Sequence, residues 1–256
     1  MLKNIFDTHA HYDDDAFDED ICQVLGGLTD KGVCGVINNA CNMESARRSI
    51  ELAEKYPHVF AAVGVHPHDV KDMTDADIDT LREMSRHEKV VAIGEIGLDY
   101  HYDFSPRETQ MKWLEKQLEL ALELDLPVFI HDREAHADTL EILKKYRPKG
   151  VIHCFSGSVE MAREIVNLGM YIGLGGAVTF KNARVPVEVA RYVPLDRLLL
   201  ETDAPYMTPV PFRGKRCTSD LISYTAEKIA AERNITAQQL CDITKENTLA
   251  LFTKIK

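Results

Sequence analysis

The sequence lacks the cysteine pairs, the long apolar runs and the excess of basic residues that mark several protein classes. Its six cysteines include no pair with the C-x-x-C spacing of a zinc or redox motif, and we interpret them as buried or idle thiols in a reducing cytosol. No apolar stretch approaches the ~20 residues of a membrane-spanning helix. The first residues, MLKNIFDTHAHYDDD, contain no basic segment followed by a long apolar run, so we expect no signal peptide and a cytoplasmic location.

Basic residues are outnumbered: 30 Lys and Arg stand against 41 Asp and Glu, which gives a formal net charge of −11. A protein that coats duplex DNA usually has the opposite balance, so the composition argues against extended, non-specific duplex binding. A local site for one strand end is compatible with this charge, because bound divalent cations supply positive charge where a phosphate lies. The sequence indicates no membrane partner and no obligate protein partner.

The chain also lacks a Pro-, Gly- or Ser-rich linker, a low-complexity stretch and an obvious repeat, so we expect one domain over residues 1–256. Short apolar runs recur instead, too short for helices and rich in Val, Ile, Leu or Phe. Such runs are typical of strands buried on both faces of a parallel sheet. The candidate strands are 4–7, 33–37, 60–65, 90–93, 127–130, 151–152, 170–174 and 198–200.

Amphipathic segments lie between most of these strands. The clearest helix is predicted over 107–124, with Ser105 as its N-cap, Pro106 at its first position and Glu108 completing a capping box. Further helices are predicted over 159–168, 225–233 and 237–251. Eight strands that mostly alternate with helices favour an α/β fold, a single (β/α)8 TIM-type barrel, over an open sheet.

Polar side chains follow the apolar runs, at the strand ends where such a barrel carries its active site. The first run ends in the sequence DTHAH, and two histidines two apart on an extended chain point to the same side and can reach one cation. Later runs end in further donors. The predicted set is His9, His11, Glu95, His131, His153 and Asp203. Six donors exceed what one tetrahedral ion needs and suit two ions that share a carboxylate.

Six stretches match the motifs of one known family, in family order and over nearly the whole chain. They are DTHAH at 7–11, GVHPH at 64–68, GEIGLDY at 94–100, PVFIH at 127–131, HCFSG at 153–157 and LETDAPY at 200–206. On these motifs the chain resembles the TatD family of metal-dependent deoxyribonucleases, which is related to the amidohydrolase-like barrels. In related amidohydrolases the bridging ligand is often a carboxylated lysine from strand four, whereas this chain offers Glu95.

The resemblance implies a role for each donor. The first metal would be bound by His9, His11 and Asp203, and the second by His131 and His153, with Glu95 bridging both. Asp203 would also orient or deprotonate the attacking water, so Asp203 and Glu95 are the implied catalytic residues. The implied cofactors are two divalent ions: mixed His and carboxylate ligands suit Zn or Mn, whereas Mg favours oxygen.

The implied reaction is 3′→5′ exonuclease action on DNA ends, with single-stranded ends as the expected substrate. Two cations would make hydroxide available near neutral pH and neutralise the phosphate oxygens. The alternative enzyme on the same scaffold cleaves a carboxylic ester, lactone or amide, because one activated hydroxide serves all of these substrates. A metal-holding or partner-binding barrel without activity is disfavoured, because all six donors are present.

Five further residues are candidates for substrate contacts or for orienting a ligand. His66 matches a family position near the site and would contact phosphate or water, or else support its loop beside Pro67. Glu201 would orient a ligand or form a structural hydrogen bond. The remaining three would steer phosphates, unless they belong to solvated basic loops: Arg133, Arg213 and Lys215.

The segment after the Arg213-Gly214-Lys215-Arg216 stretch departs from the family pattern. Members typically have Asn there and Pro two places later, where this chain has Cys217 and Ser219. The segment follows strand eight, near where a substrate should lie. We therefore expect the change to leave the metal donors untouched and to bear on substrate preference.

Overall fold

A computed structural model describes residues 1–256, and its eight strands form one sheet in which each strand pairs in parallel with the next along the chain. The strands are β1 (Ile5–Ala10), β2 (Val33–Asn39), β3 (Val59–Val63), β4 (Val90–Asp99), β5 (Val128–Arg133), β6 (Gly150–Ile152), β7 (Tyr171–Leu174) and β8 (Leu198–Leu200). The predicted (β/α)8 barrel is confirmed.

The seam between the first and last strands closes the barrel. Ala10, at the end of β1, forms a parallel bridge with Ala204, just beyond β8. Two backbone hydrogen bonds continue this pairing: Asp203 N donates to His9 O at 2.8 Å, and His11 N donates to Ala204 O at 2.7 Å. The closure of the barrel therefore sets the backbone positions of three predicted metal donors.

Nine α-helices surround the sheet, one after each of the first seven strands and two after the last. They are α1 (Ile21–Gly27), α2 (Met43–Lys55), α3 (Asp75–Met84), α4 (Arg107–Glu123), α5 (His136–Tyr146), α6 (Val159–Asn167), α7 (Arg184–Tyr192), α8 (Ile222–Arg233) and α9 (Ala237–Leu251). None of them combines the length and apolar character needed to cross a membrane.

The start of α4 differs from its prediction. Pro106, and not Ser105, is the N-cap residue, and it makes no side-chain capping bond. The predicted capping box with Glu108 is therefore wrong. The reason is a competing tertiary contact, because the Ser105 hydroxyl donates instead to the backbone oxygen of His68 at 3.0 Å. That bond ties the start of α4 to the segment that follows β3.

A column of aromatic side chains fills the barrel interior below the site. The ring of Phe252, which follows α9, stacks on Phe129 of β5 with their centroids 5.1 Å apart. On its other side, Phe129 meets the His9 ring at 5.5 Å in an edge-to-face arrangement. Both phenylalanines are fully buried, and burying one such ring contributes about 1.5–3 kcal/mol. The floor of the site is therefore a closely packed apolar interior.

Candidate metal centre

The six predicted donors lie together at the mouth of the barrel. His9, Glu95 and His131 lie within β1, β4 and β5, and His11, His153 and Asp203 lie in the segments after β1, β6 and β8. The structure extends β4 beyond its predicted end at Ile93, so Glu95 is inside the strand. Gly97 allows β4 to lie close to β5 here, because a Cβ at that position would collide with the backbone oxygen of His131.

Glu95 lies between two groups of histidines. Its Oε2 is 3.2 Å from His9 Nε2 and 3.5 Å from His11 Nε2. Its Oε1 is 2.8 Å from His131 Nδ1 and 2.7 Å from His153 Nε2. The residue is only 2% exposed. Each oxygen of one buried carboxylate thus faces its own group of nitrogens, which is the geometry that a bridging ligand requires.

Asp203 completes the group formed by His9 and His11. Its Oδ1 is 3.3 Å from His11 Nε2 and 3.8 Å from His9 Nε2, and the two Nε2 atoms are 3.1 Å apart. The backbone of Asp203 is in the left-handed region, with φ of 64°, a conformation that costs energy for a non-glycine residue and is concentrated at functional sites. Its side chain is 19% exposed, whereas that of His9 is fully buried. Asp203 is therefore the most exposed donor of this group.

Burial and mutual contact set the charge state of the donors. Burial, reinforced by the neighbouring His153, lowers the pKa of His9 to about 3. Burial of Glu95 favours its neutral form, but the adjacent His153, His66 and His9 outweigh this effect and hold the pKa of the carboxyl well below its usual range. Near neutral pH the site therefore presents a carboxylate and at least one neutral imidazole, the forms that bind a cation.

Two hydrogen bonds orient the imidazoles. His11 Nδ1 is 2.8 Å from the backbone oxygen of Asn39, so this nitrogen donates, and in the neutral ring Nε2 is left to bind a cation. His131 Nε2 is 3.1 Å from Asp99 Oδ2, which aims Nδ1 at Glu95. Such contacts fix the tautomer and ring orientation of metal-binding histidines.

The donor set fits divalent cations. Four groups of three side chains have ligand atoms that all lie within 4.8 Å of one another. In the group of His9, His11 and Asp203, the two facing Nε2 atoms come within 3.1 Å. When both rings are neutral and each presents an Nε2 lone pair, the two lone pairs repel each other at this distance. A cation between them relieves that repulsion.

Sequence reasoning missed Cys41 and Asp99, which contact residues of the site, and left the role of His66 open. His66 Nε2 is 3.5 Å from Glu95 Oε1, so His66 belongs to the donor cluster. Cys41 Sγ lies 3.7 Å from His11 Nδ1. Asp99 joins the site to the neighbouring loop, because its Oδ2 contacts His68 Nε2 at 2.8 Å as well as His131. Asp99 stands in the GEIGLDY motif, which was the available signal for it.

A cavity of about 750 Å³ opens above the donors. Arg133 lines it, with its guanidinium carbon 4.7 Å from the ring centroid of Tyr102. Arg213 and Lys215 do not line it, contrary to the idea that they steer phosphates there. The Arg213 guanidinium instead lies 3.8 Å from the ring centroid of Phe180. This stacking holds it away from the cavity.

Glu201 is fully buried behind the donors. One of its oxygens accepts a hydrogen bond from Cys154 N, and its Oε2 has no hydrogen-bond partner. Burial raises the pKa of this carboxyl to about 8, against the opposing effect of His153. Glu201 does not line the cavity, and its link to the donors is its direct electrostatic interaction with His153.

The family-divergent residues Cys217 and Ser219 do not line the cavity, so the expected effect on substrate preference would have to be indirect. Both are fully buried. The Ser219 hydroxyl donates to Asp7 Oδ2 at 2.6 Å and lies 2.7 Å from the Tyr12 hydroxyl. The segment is directed inward because Arg216, just before it, is anchored to Asp20 at 2.6 Å. Their place in the fold is a buried polar network beside β1.

Comparison with known proteins decides the family. A family model described as TatD related DNase matches residues 6–253. The chain belongs to the TatD family. It is 43% identical over 251 residues to a Bacillus subtilis protein named the uncharacterized metal-dependent hydrolase YabD, a match that covers 97% of this chain and 98% of that one. This TatD-family chain is therefore a hydrolase.

Two further TatD-family proteins extend the comparison. The 3′-5′ ssDNA/RNA exonuclease TatD of Salmonella typhimurium is 33% identical over 257 residues, covering 97% of this chain and 98% of that protein. The crystal structure of YjjV, a TatD homologue from Escherichia coli, superposes with a TM-score of 0.92 at 35% identity and covers 99% of both chains. The likeness therefore extends over the whole barrel, including every strand that carries a donor.

Proposed function

We propose that this hydrolase binds two divalent cations and removes nucleotides from DNA ends in the 3′→5′ direction, with single-stranded ends as its substrate. The observation that carries the proposal is the buried carboxylate of Glu95. Its Oε2 faces His9 at 3.2 Å, and its Oε1 faces His153 at 2.7 Å. A carboxylate shared in this way is typical of a pair of ions, and paired ions are frequent in enzymes that cleave phosphodiesters.

The proposed ligands divide at Glu95. They are His9, His11 and Asp203 for the first ion, His131 and His153 for the second, and Glu95 for both. When bound, such a pair lowers the pKa of a water molecule and neutralises phosphate oxygens as charge develops. The mixture of imidazole and carboxylate suits Zn or Mn, and Mg would rely more on the oxygen ligands.

Asp203 is the proposed proton carrier. It is the better exposed of the two donor carboxylates, with 19% of its side chain accessible against 3% for Glu95. Its Oδ1 faces the histidines, so we assign Oδ2 to accept a proton from the attacking water. The same atom then returns the proton to the 3′ oxygen of the shortened strand as that oxygen leaves.

Charge and shape favour a strand end over the interior of a duplex. The net charge of −11 leaves no broad basic face for many phosphates, and a concave cavity of about 750 Å³ suits a chain terminus. The name of the Salmonella relative, a 3′-5′ ssDNA/RNA exonuclease, supports the same direction and strandedness.

The proposal is tested by digesting 5′-labelled single-stranded DNA beside a closed circular plasmid, with Mg, Mn and Zn in turn. A preparation of the Asp203→Asn variant controls for contaminating nucleases. We expect a ladder of shortened labelled products and an intact plasmid. Efficient linearisation of the plasmid would contradict exonuclease action. Inactivity on every nucleic acid, with turnover of a carboxylic ester, lactone or amide, would establish the alternative hydrolase.

A further inference from the structure

Three exposed aromatic side chains line the cavity. Tyr206, after β8, donates its hydroxyl to Asp14, and the other two stand together in the segment between β4 and α4. Tyr102 is 47% exposed and Phe104 is 60% exposed, and both line the cavity. Their rings stack with centroids 5.2 Å apart and an interplanar angle of 26°. The Arg133 guanidinium lies over the Tyr102 ring at 4.7 Å, so Phe104 is the ring of the pair that offers the more open face. We call this pair the aromatic platform. Exposed apolar surface that is concentrated at a cavity marks a site for a ligand.

The platform is held in place by the same residue that orients a proposed ligand. Asp99 Oδ1 accepts hydrogen bonds from His101 N at 3.0 Å and Tyr102 N at 2.9 Å. The other oxygen of Asp99 contacts His131 Nε2 at 3.1 Å. The His68 ring meets Phe104 edge-to-face at 4.8 Å. The rings therefore have a fixed position relative to the metal centre before any substrate binds.

Charge is distributed unevenly around the cavity. Arg133, at the end of β5, is its only lining Lys or Arg. Asp13 and Asp14 line it from the segment after β1, which lies across the eight-stranded barrel from β5, and Asp69 lines it from the segment after β3. A polyanion is repelled by that acidic wall and attracted to the wall formed by Arg133 and the aromatic platform. A bound strand should therefore leave the site over Tyr102 and Phe104.

We propose that the aromatic platform stacks against a nucleobase of a single-stranded DNA end while Arg133 pairs with an adjacent phosphate; this inference rests on the proposed DNA hydrolysis. Stacking on aromatic side chains accepts every base, because each has a π-face. A base inside a duplex is already stacked and paired, so its face is not available. The platform thus favours single-stranded over double-stranded DNA without preferring any base sequence.

The structure offers a matched control for the test. Tyr192 of α7 is 39% exposed and has the Arg163 guanidinium 5.3 Å from its ring centroid, but it lies outside the cavity. Tyr102→Ala and Phe104→Ala remove one ring each, and Tyr102→Phe keeps the ring and loses only the hydroxyl. Each variant is compared with the Tyr192→Ala control on 5′-labelled single-stranded DNA whose 3′-terminal nucleotides either carry bases or are base-free.

We expect each alanine variant of the platform to raise KM for base-containing DNA about tenfold, the typical contribution of one stacked base, with the effect on KM and not on kcat. Tyr102→Phe and Tyr192→Ala should resemble the parent. Base-free DNA should raise the KM of the parent by a similar factor, with no further increase in Phe104→Ala, because Tyr102 is the ring of the pair that lies under Arg133. The dissociation constants measured by fluorescence anisotropy in an Asp203→Asn background should follow the same pattern.

Each alternative outcome overturns a defined part of the reasoning. A KM within about twofold of the parent in both alanine variants, with an active parent, would overturn the platform alone. Equal losses on base-containing and base-free DNA would show that the rings act through the metal centre and not on a base. A parent that neither binds nor cleaves single-stranded DNA would overturn the platform and the proposed function together.

Discussion

Replacing Glu95 by Gln tests whether one carboxylate holds the metal centre together. Gln has nearly the same shape, but its amide presents an oxygen on one side and a donor-only NH2 group on the other. The carboxylate that it replaces faces His9 with Oε2 and His153 with Oε1. Whichever way the amide turns, either His9 or His153 faces an NH2 group in place of an oxygen. We therefore expect the variant to hold fewer ions than the parent.

The size of the loss follows from charge and distance. Glu95 is 2% exposed and its oxygens lie 2.7–3.5 Å from histidine nitrogens, so a cation among these donors would lie within about 4 Å of the carboxylate. Two unit charges at this distance interact by about 4 kcal/mol at an effective dielectric constant near 20. That energy corresponds to roughly a thousandfold in affinity, and it is a lower limit because the ion is divalent.

The assay counts ions and measures turnover on the same samples. Chelator-stripped protein is reloaded with Mn or Zn, bound metal is counted by mass spectrometry, and affinity is measured by titration calorimetry. The parent should hold two ions per chain and Glu95→Gln at most one, with turnover of single-stranded DNA nearly abolished and an unchanged circular dichroism spectrum. Glu188→Gln, on the surface beside Arg184, is the control. Two ions bound with parental affinity in Glu95→Gln would refute the bridging role.

Two further predictions concern Asp203 and Ser219. Asp203→Asn should lower kcat about 10²–10⁴-fold, the usual contribution of a general base, with a smaller effect on KM; a kcat within a few-fold of the parent at saturating metal would exclude the role of base. Ser219→Ala should reduce the free energy of unfolding by about 1–3 kcal/mol, because it removes one hydrogen bond from buried Asp7 and one from buried Tyr12, while KM for DNA changes less than about twofold. Urea unfolding beside a Ser223→Ala control measures the stability effect, and a large KM change with unaltered stability would contradict the placement of Ser219.

The positions of the strands could be predicted from the sequence because the barrel repeats one simple pattern. Each strand is a buried apolar run, and a donor at or just after its end lies at the common mouth. This logic placed His9 and Asp203 correctly beside each other, and His131 on the other oxygen of Glu95. It placed the end of β4 too early, because Glu95 continues the strand and a carboxylate is not expected in a buried run. Only the neighbouring histidines make that buried charge tolerable.

The contacts that sequence reasoning missed or misjudged depend on tertiary structure. Asp99 and His68 meet through a hydrogen bond across 31 positions of the chain, and no local pattern marks such a pair. Ser105 has the pattern of a helix cap, but its hydroxyl is taken by a backbone oxygen on another segment. Ser219 lies in a segment that follows β8, yet its hydroxyl is buried against Asp7. In each case a distant partner determines what the side chain does.

The seam of the barrel links the fold to the chemistry. The hydrogen bonds from Asp203 N to His9 O and from His11 N to Ala204 O join the two ends of the sheet, and they lie at three residues of the proposed first ion site. The same seam brings together residues that are most distant in sequence, so this ligand group exists only when the barrel is closed. A cation that binds only the assembled group stabilises the closed barrel, by about 2.7 kcal/mol when its free concentration is 100 times its dissociation constant. Metal binding and barrel closure are thus one linked equilibrium, and a substitution that weakens the seam should weaken metal affinity even where it leaves every donor in place.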